Sequence, residues 1–179
     1  MSLRNFFRNV TGGKHTGALA AGTPAPGISL ASASGKKMWL ADALKKGPVL
    51  AVFFKVSCPT CQFTLPFLER MGEAYGDSKF SIWGISQNDA RDTREFADEY
   101  GLKFPTLIDE GAFVASNQYG LTNVPSIFLI SPDGKIQVSS VGFAKADLEN
   151  IAAQAARASG KPATPLFKPG EVVPDYKPG

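Results

Sequence analysis

A continuous apolar run, Val49-Leu50-Ala51-Val52-Phe53-Phe54, comes just before the only two cysteines in the chain, Cys58 and Cys61. The run is short and rich in β-branched and aromatic residues, which suits a strand. No polar residue alternates within it, so both faces are expected to be buried, as in a central parallel strand. After Cys61 the period changes. Phe63, Phe67, Leu68, Met71 and Tyr75 fall on one face of a helix. The segment Cys58-Pro59-Thr60-Cys61 therefore lies where a buried strand turns into an amphipathic helix, an arrangement that belongs to an α/β fold.

That junction has chemical consequences. The first N–H groups of a helix lack intrahelical partners, and the helix dipole puts partial positive charge there. A thiolate at that end is favoured over the thiol; the free-cysteine value of about 8.5 can fall to roughly 3.5–7.5 in such a setting. Pro59 suits the first helical turn, where its missing N–H costs nothing. Lys55, three residues before Cys58, is a candidate for further lowering the thiol's pKa, or a solvated side chain. The C-x-x-C spacing lets Cys61 reach Cys58 over one turn. Cys58 is then the attacking thiolate and Cys61 the resolving thiol, the two closing a redox disulfide. The non-catalytic alternative is a pair of buried or adventitious cysteines. A structural zinc site needs four ligands, and only His15, distant in sequence, could join the two cysteines, so neither metal nor cofactor is expected.

Size and composition set the outer bounds. The 179 residues are enough for one domain with ends to spare. No apolar run reaches membrane-spanning length. A net charge of +3 is mild, and no nucleic-acid motif is present. Two cysteines in C-x-x-C form are not the framework of a secreted disulfide scaffold. Arg4 and Arg8 precede no long apolar stretch, since Gly and Pro interrupt residues 17–28. The expectation is a cytoplasmic monomer without a signal peptide, or an extracytoplasmic protein if a leader has been removed.

The division expected is a basic, glycine-rich arm over residues 1–25, a domain over 26–160, and a Pro-rich tail over 161–179. The arm reads as loosely ordered, with Arg4-Asn5-Phe6-Phe7-Arg8 as a possible surface-binding segment. Ile28–Leu30 and Met38–Leu40 flank a turn composition and predict a hairpin. Ala41–Lys46 gives a helical turn or two. Phe80–Ser86 reads as a second buried strand, joined to the first by a right-handed crossover. Asp89 is the expected N-cap of a helix that buries Phe96, Ala97 and Tyr100 and stops at Gly101. Phe104–Ile108 reads as a short strand and Ala112–Tyr119 as a short helix. Ser126–Ile130 and Lys135–Val141 form an antiparallel hairpin through Ser131-Pro132-Asp133-Gly134, a type I turn sequence. Leu148, Ile151, Ala152 and Ala155 mark a last helix that ends at Gly160. From Lys161 on, five prolines argue against any regular element. Phe167, Val172, Val173 and Tyr176 are the residues that can lay the tail along the domain, and a partner-binding polyproline segment is the alternative.

This order resembles the thioredoxin superfamily over residues 27–160. Cys58-Pro59-Thr60-Cys61 stands at the family's redox motif. Pro66 matches the proline that kinks its active-site helix. Val124-Pro125, ahead of a hydrophobic strand, resembles the family's cis-proline, which faces the cysteines and holds substrate backbone. The extra helix–strand pair between Asp89 and Ile108 and the N-terminal hairpin resemble the redoxin branch, which includes AhpC/TSA and TlpA/ResA-like proteins. The resemblance implies a three-layer fold with a mixed central sheet flanked by helices. It also implies thiol–disulfide exchange through Cys58 and Cys61, with Pro59, Thr60, Val124 and Pro125 as substrate-binding positions. Protein disulfides or dithiols are the implied substrates, with an external thiol as reductant.

Two departures stand out. Thioredoxin's buried acid falls on Val52, and the TlpA/ResA-like glutamate falls on Thr64, so the usual carboxylate proton acceptor for Cys61 is missing at both places. The peroxiredoxin pattern P-x-x-x-T-x-x-C falls on Ala51 and Lys55, and lysine cannot both donate to and accept from a peroxide. Hydroperoxide reduction, with Cys58 peroxidatic and Cys61 resolving, is therefore the second reading. A redox sensor or a copper-binding module like the Sco branch ranks third, because that branch resembles C-x-x-x-C with a distant histidine.

Overall fold

The computed structural model describes residues 17–179. The proposed surface segment Arg4–Arg8, and His15, lie outside the described residues.

An antiparallel hairpin opens the domain, β1 (Ser29–Ala31) against β2 (Lys37–Trp39), followed by the short helix α1 (Leu40–Leu44). β3 (Val49–Phe54) is the strand foreseen from its apolar run, and all six residues are inaccessible to solvent. Next come α2 (Pro59–Tyr75), β4 (Ser81–Ser86), α3 (Ala90–Tyr100) and β5 (Thr106–Ile108). The chain ends its core with α4 (Val114–Gln118), β6 (Ser126–Ile130), β7 (Ile136–Val141), the two-residue β8 (Phe143–Ala144) and α5 (Lys145–Ser159).

The central sheet has the order β5-β4-β3-β6-β7. β3 pairs in parallel with β4, Val52 opposite Gly84, and antiparallel with β6, Val52 opposite Ile127. β3 is thus covered on both edges and both faces, which is why it carries no polar residue. Its side chains alternate between two cores. Leu50, Val52 and Phe54 meet Leu65, Leu68 and Met71 of α2 and Ile151 and Ala155 of α5. Val49, Ala51 and Phe53 meet Leu40 and Leu44 of α1 and Tyr119 on the opposite face. The result is a three-layer α/β fold with a mixed sheet.

Where boundaries moved, local chemistry explains the shift. β5 begins at Thr106 and not Phe104, because Pro105 has no N–H to offer the ladder. α4 is shorter than its pattern suggested. The Asp109 carboxylate caps its start, accepting from the backbone N–H groups of Ala115 (3.0 Å) and Ser116 (2.7 Å). Asp89 caps α3 as its position foretold, accepting from the Asp92 N–H at 2.7 Å, and Gly101 ends that helix in the left-handed region.

The two ends of the described chain are more ordered than their composition suggested. Residues 19–25, placed in the loose arm, lie against the β6–β7 hairpin and α4. The Leu19 N–H donates to the Tyr119 carbonyl (3.0 Å), the Gly22 N–H to that of Ile136 (2.8 Å) and the Ala25 N–H to that of Gly134 (2.8 Å). The tail is the larger correction. Its prolines do not exclude a regular element, because β9 (Tyr176–Lys177) pairs antiparallel with β8. Pro174 and Pro178 bracket a three-residue stretch whose N–H groups are intact, and that is enough for a bridge. Upstream, Phe167 packs its ring 5.0 Å from that of Phe67 and 5.9 Å from that of Phe143. Arg70 of α2 holds Glu171 in a two-bond fork, 2.9 and 2.8 Å. Among the described residues no helix is long and apolar enough to cross a membrane.

Candidate active site

After β3 the chain turns through Lys55–Ser57, and this turn is braced from two sides. The Val56 N–H donates to Asn88 Oδ1 (3.0 Å), and Gln62 Nε2 of α2 donates to the Val56 carbonyl (2.8 Å). The turn places Cys58 at the N-cap of α2 with extended backbone, φ −83° and ψ 116°, and Pro59 at the first helical position. A helix start leaves N–H groups without partners, and an oxygen side chain ordinarily takes one. Here sulfur does so: the Cys61 N–H donates to Cys58 Sγ at 3.1 Å. The same hydrogen bond that caps the helix therefore ties the two cysteines together.

The two sulfurs differ in surroundings. Cys58 is half-buried, Cys61 is fully buried, and both are free thiols. Burial, reinforced by a hydrogen bond to the Cys58 sulfur, pushes the Cys61 thiol well above the ordinary cysteine range. No acid contributes to its surroundings among the described residues. At the two positions where the thioredoxin resemblance would place one, Val52 is buried in β3, and the Thr64 hydroxyl donates to the Thr60 carbonyl at 2.6 Å.

Across from the cysteines, the Val124–Pro125 bond is cis. The Cys58 thiol donates to the Val124 carbonyl at 3.4 Å. This loop is itself pinned. Ser126 Oγ donates to the Asn123 carbonyl (2.7 Å), and the Gly142 N–H donates to the Pro125 carbonyl (2.8 Å). Between loop and helix start lies an open cleft of about 440 Å³, lined by Lys55, Cys58, Pro59, Gln87, Asn123 and Val124 among others. A half-buried thiol at a helix start that opens on the cleft, a second thiol one turn below it, and a carbonyl facing the first can host disulfide exchange.

Of the residues singled out from sequence, Cys58, Cys61, Pro59, Val124 and Pro125 come together here. Lys55 is exposed on the cleft wall. Thr60 is buried, and its hydroxyl is spent on the tail, donating to the Pro178 carbonyl at 2.6 Å. Sequence reasoning missed Gln87, Asn88, Asn123 and the end of the tail. Gln87-Asn88 had a signal, since they follow the carboxyl end of β4, where open α/β sheets carry their ligand loops. The tail residues had none.

Residues 21–139 match the AhpC/TSA family. This chain belongs to that family. Among similar proteins, the thiol-disulfide oxidoreductase ResA of Bacillus thuringiensis strain Al Hakam is 32% identical over 125 residues, covering 68% of this chain and 69% of that protein. The thioredoxin-like protein YneN of Bacillus subtilis strain 168 is 34% identical over 125 residues, 68% of this chain and 71% of YneN. The thioredoxin domain of a thiol-disulfide oxidoreductase from Bacteroides vulgatus superposes with a TM-score of 0.67 at 26% identity, covering 76% of this chain and 98% of that domain.

Proposed function

We propose that this protein is a thiol–disulfide oxidoreductase that works through the Cys58/Cys61 pair. The observation that carries this reading is the 3.1 Å contact from the Cys61 N–H to Cys58 Sγ, which sets an accessible thiol directly above a buried one. Cys58, as its thiolate, attacks one sulfur of a substrate disulfide lying along the Val124–Pro125 loop. The S–S bond breaks, and the departing substrate sulfur takes a proton from solvent. Cys61 then loses its proton to solvent and attacks Cys58 Sγ, the mixed disulfide breaks, and the second substrate sulfur takes a proton from solvent. The substrate gains two electrons and two protons, and the protein is left with a Cys58–Cys61 disulfide. An external thiol restores the pair; run backwards, the same steps oxidise a substrate dithiol.

The wall of the cleft supports exchange over peroxide reduction. An exposed lysine stands where a peroxide-orienting hydroxyl would be needed. The test is disulfide reduction of insulin beside hydroperoxide consumption, with wild type, Cys58→Ser and Cys61→Ser. Exchange predicts insulin reduction by the wild type that drops to background in Cys58→Ser. Rapid hydroperoxide turnover with negligible insulin reduction would overturn the reading.

A further inference from the structure

The end of the tail reaches the cleft itself. After Glu171 is forked by Arg70, the chain runs to β9 beside β8, and the Lys145 N–H donates to the Asp175 carbonyl at 2.9 Å. Lys177 Nζ then sits 5.3 Å above the Phe63 ring. Thr60, inside the C-x-x-C motif, donates to the Pro178 carbonyl (2.6 Å), and Asn123, beside the cis-proline, donates through Nδ2 to the Gly179 carbonyl (3.3 Å). Gly179 lies so close to the Val124 carbonyl oxygen that a Cβ there would collide with it. That is the oxygen that accepts from the Cys58 thiol. One short extended segment thus touches the helix start, the cis-proline loop and the carbonyl facing the reactive sulfur. Its contacts to Thr60 and Asn123 are made through its backbone.

We infer that residues 175–179 act as a built-in substitute for substrate, occupying the peptide subsite beside Cys58 so that extended polypeptide substrates must displace them. The inference rests on the exchange function proposed above. The strands and groups involved are those by which a bound peptide is ordinarily held: an edge pairing and backbone hydrogen bonds, without side-chain specificity. The anchor at Phe167 and Arg70–Glu171 lies upstream of residues 175–179, so that segment can be displaced while the rest of the tail stays packed. Cys58 remains half-exposed beside the tail, so a small disulfide needs no displacement. A polypeptide disulfide does, and it bears the loss of two hydrogen bonds and a short strand pairing, worth about tenfold in apparent affinity.

The experiment uses the full chain, pre-reduced, in single-turnover reaction with insulin and with 5,5′-dithiobis(2-nitrobenzoate). Two variants free the segment: Gly179→Val, by collision with Val124, and Lys177→Pro, by removing the N–H that pairs with Phe143 of β8. The expected result is a rise of about tenfold in the insulin rate for both variants, with the small-disulfide rate unchanged. An insulin rate equal to or below wild type in both variants, with the small disulfide still reduced, overturns the displacement model and leaves the exchange function standing. Failure of the wild type and both variants to reduce either disulfide overturns the exchange function, and the inference with it.

Discussion

At the scale of single residues, the two cysteines divide the work by environment. Cys61 has its pKa raised by burial, so it stays a thiol at neutral pH, and closure of the disulfide waits on its deprotonation. Decay of a preformed Cys58 mixed disulfide should therefore accelerate about tenfold per pH unit through the neutral range, in stopped-flow release of a fluorescent thiol. A rate flat with pH contradicts a buried, protonated resolving thiol. The same shift enters stability. The unfolded thiol ionises near 8.5 and the folded one higher, so stability is intact below that value and falls as pH rises past it, by about 1.4 kcal/mol per pH unit. Urea unfolding at pH 8.5 and 9.5 should show a steeper loss in wild type than in Cys61→Ala; equal slopes would remove Cys61 as the cause.

At the scale of elements, the tail joins the core at Leu166 and Phe167 and is tied to α2 again at Glu171. Phe167 is 9% exposed among the rings of Phe67 and Phe143, so Phe167→Ala should cost about 3 kcal/mol in urea unfolding, as a core aromatic does. A loss under about 1 kcal/mol would mark the tail as loosely attached. Glu171 adds a pH signature. Arg70, then the Lys168 N–H, lower its pKa to about 2. Its anchoring is present above the unfolded carboxylate value of about 4.3 and is lost as pH falls toward the folded value. Hydrogen-exchange protection of residues 168–171 should fall between about pH 4.5 and pH 2 in wild type, and be weaker throughout in Glu171→Gln. Elements such as β3, α3 and the β6–β7 hairpin were legible because each carries its own local signal: an unbroken apolar run, an Asp cap with a Gly stop, a Ser-Pro-Asp-Gly turn. Phe167 was foreseen as a residue that lays the tail along the domain, but residues 17–25 and the strand at Tyr176–Lys177 were misread, because Gly and Pro content reports the absence of helix and does not exclude short backbone pairing with a finished domain.

For the molecule as a whole, the fold is the consequence of one strand buried on every side that delivers a cysteine pair to the mouth of a cleft. That much was readable from residues 49–75, and Val124-Pro125 was found by resemblance. What the sequence did not expose is contact between distant segments. Thr60 and Pro178 are 118 positions apart, and nothing in either points to the other. The mechanism turns on Cys58 attacking and Cys61 resolving, and trapping tests this directly. Reduced Cys61→Ser should hold a disulfide substrate as a stable covalent adduct, seen by mass spectrometry at Cys58 and released by dithiothreitol, while wild type releases it and ends as the Cys58–Cys61 disulfide. An adduct that never forms on Cys58, or that forms and decays as fast as in wild type, would contradict the account.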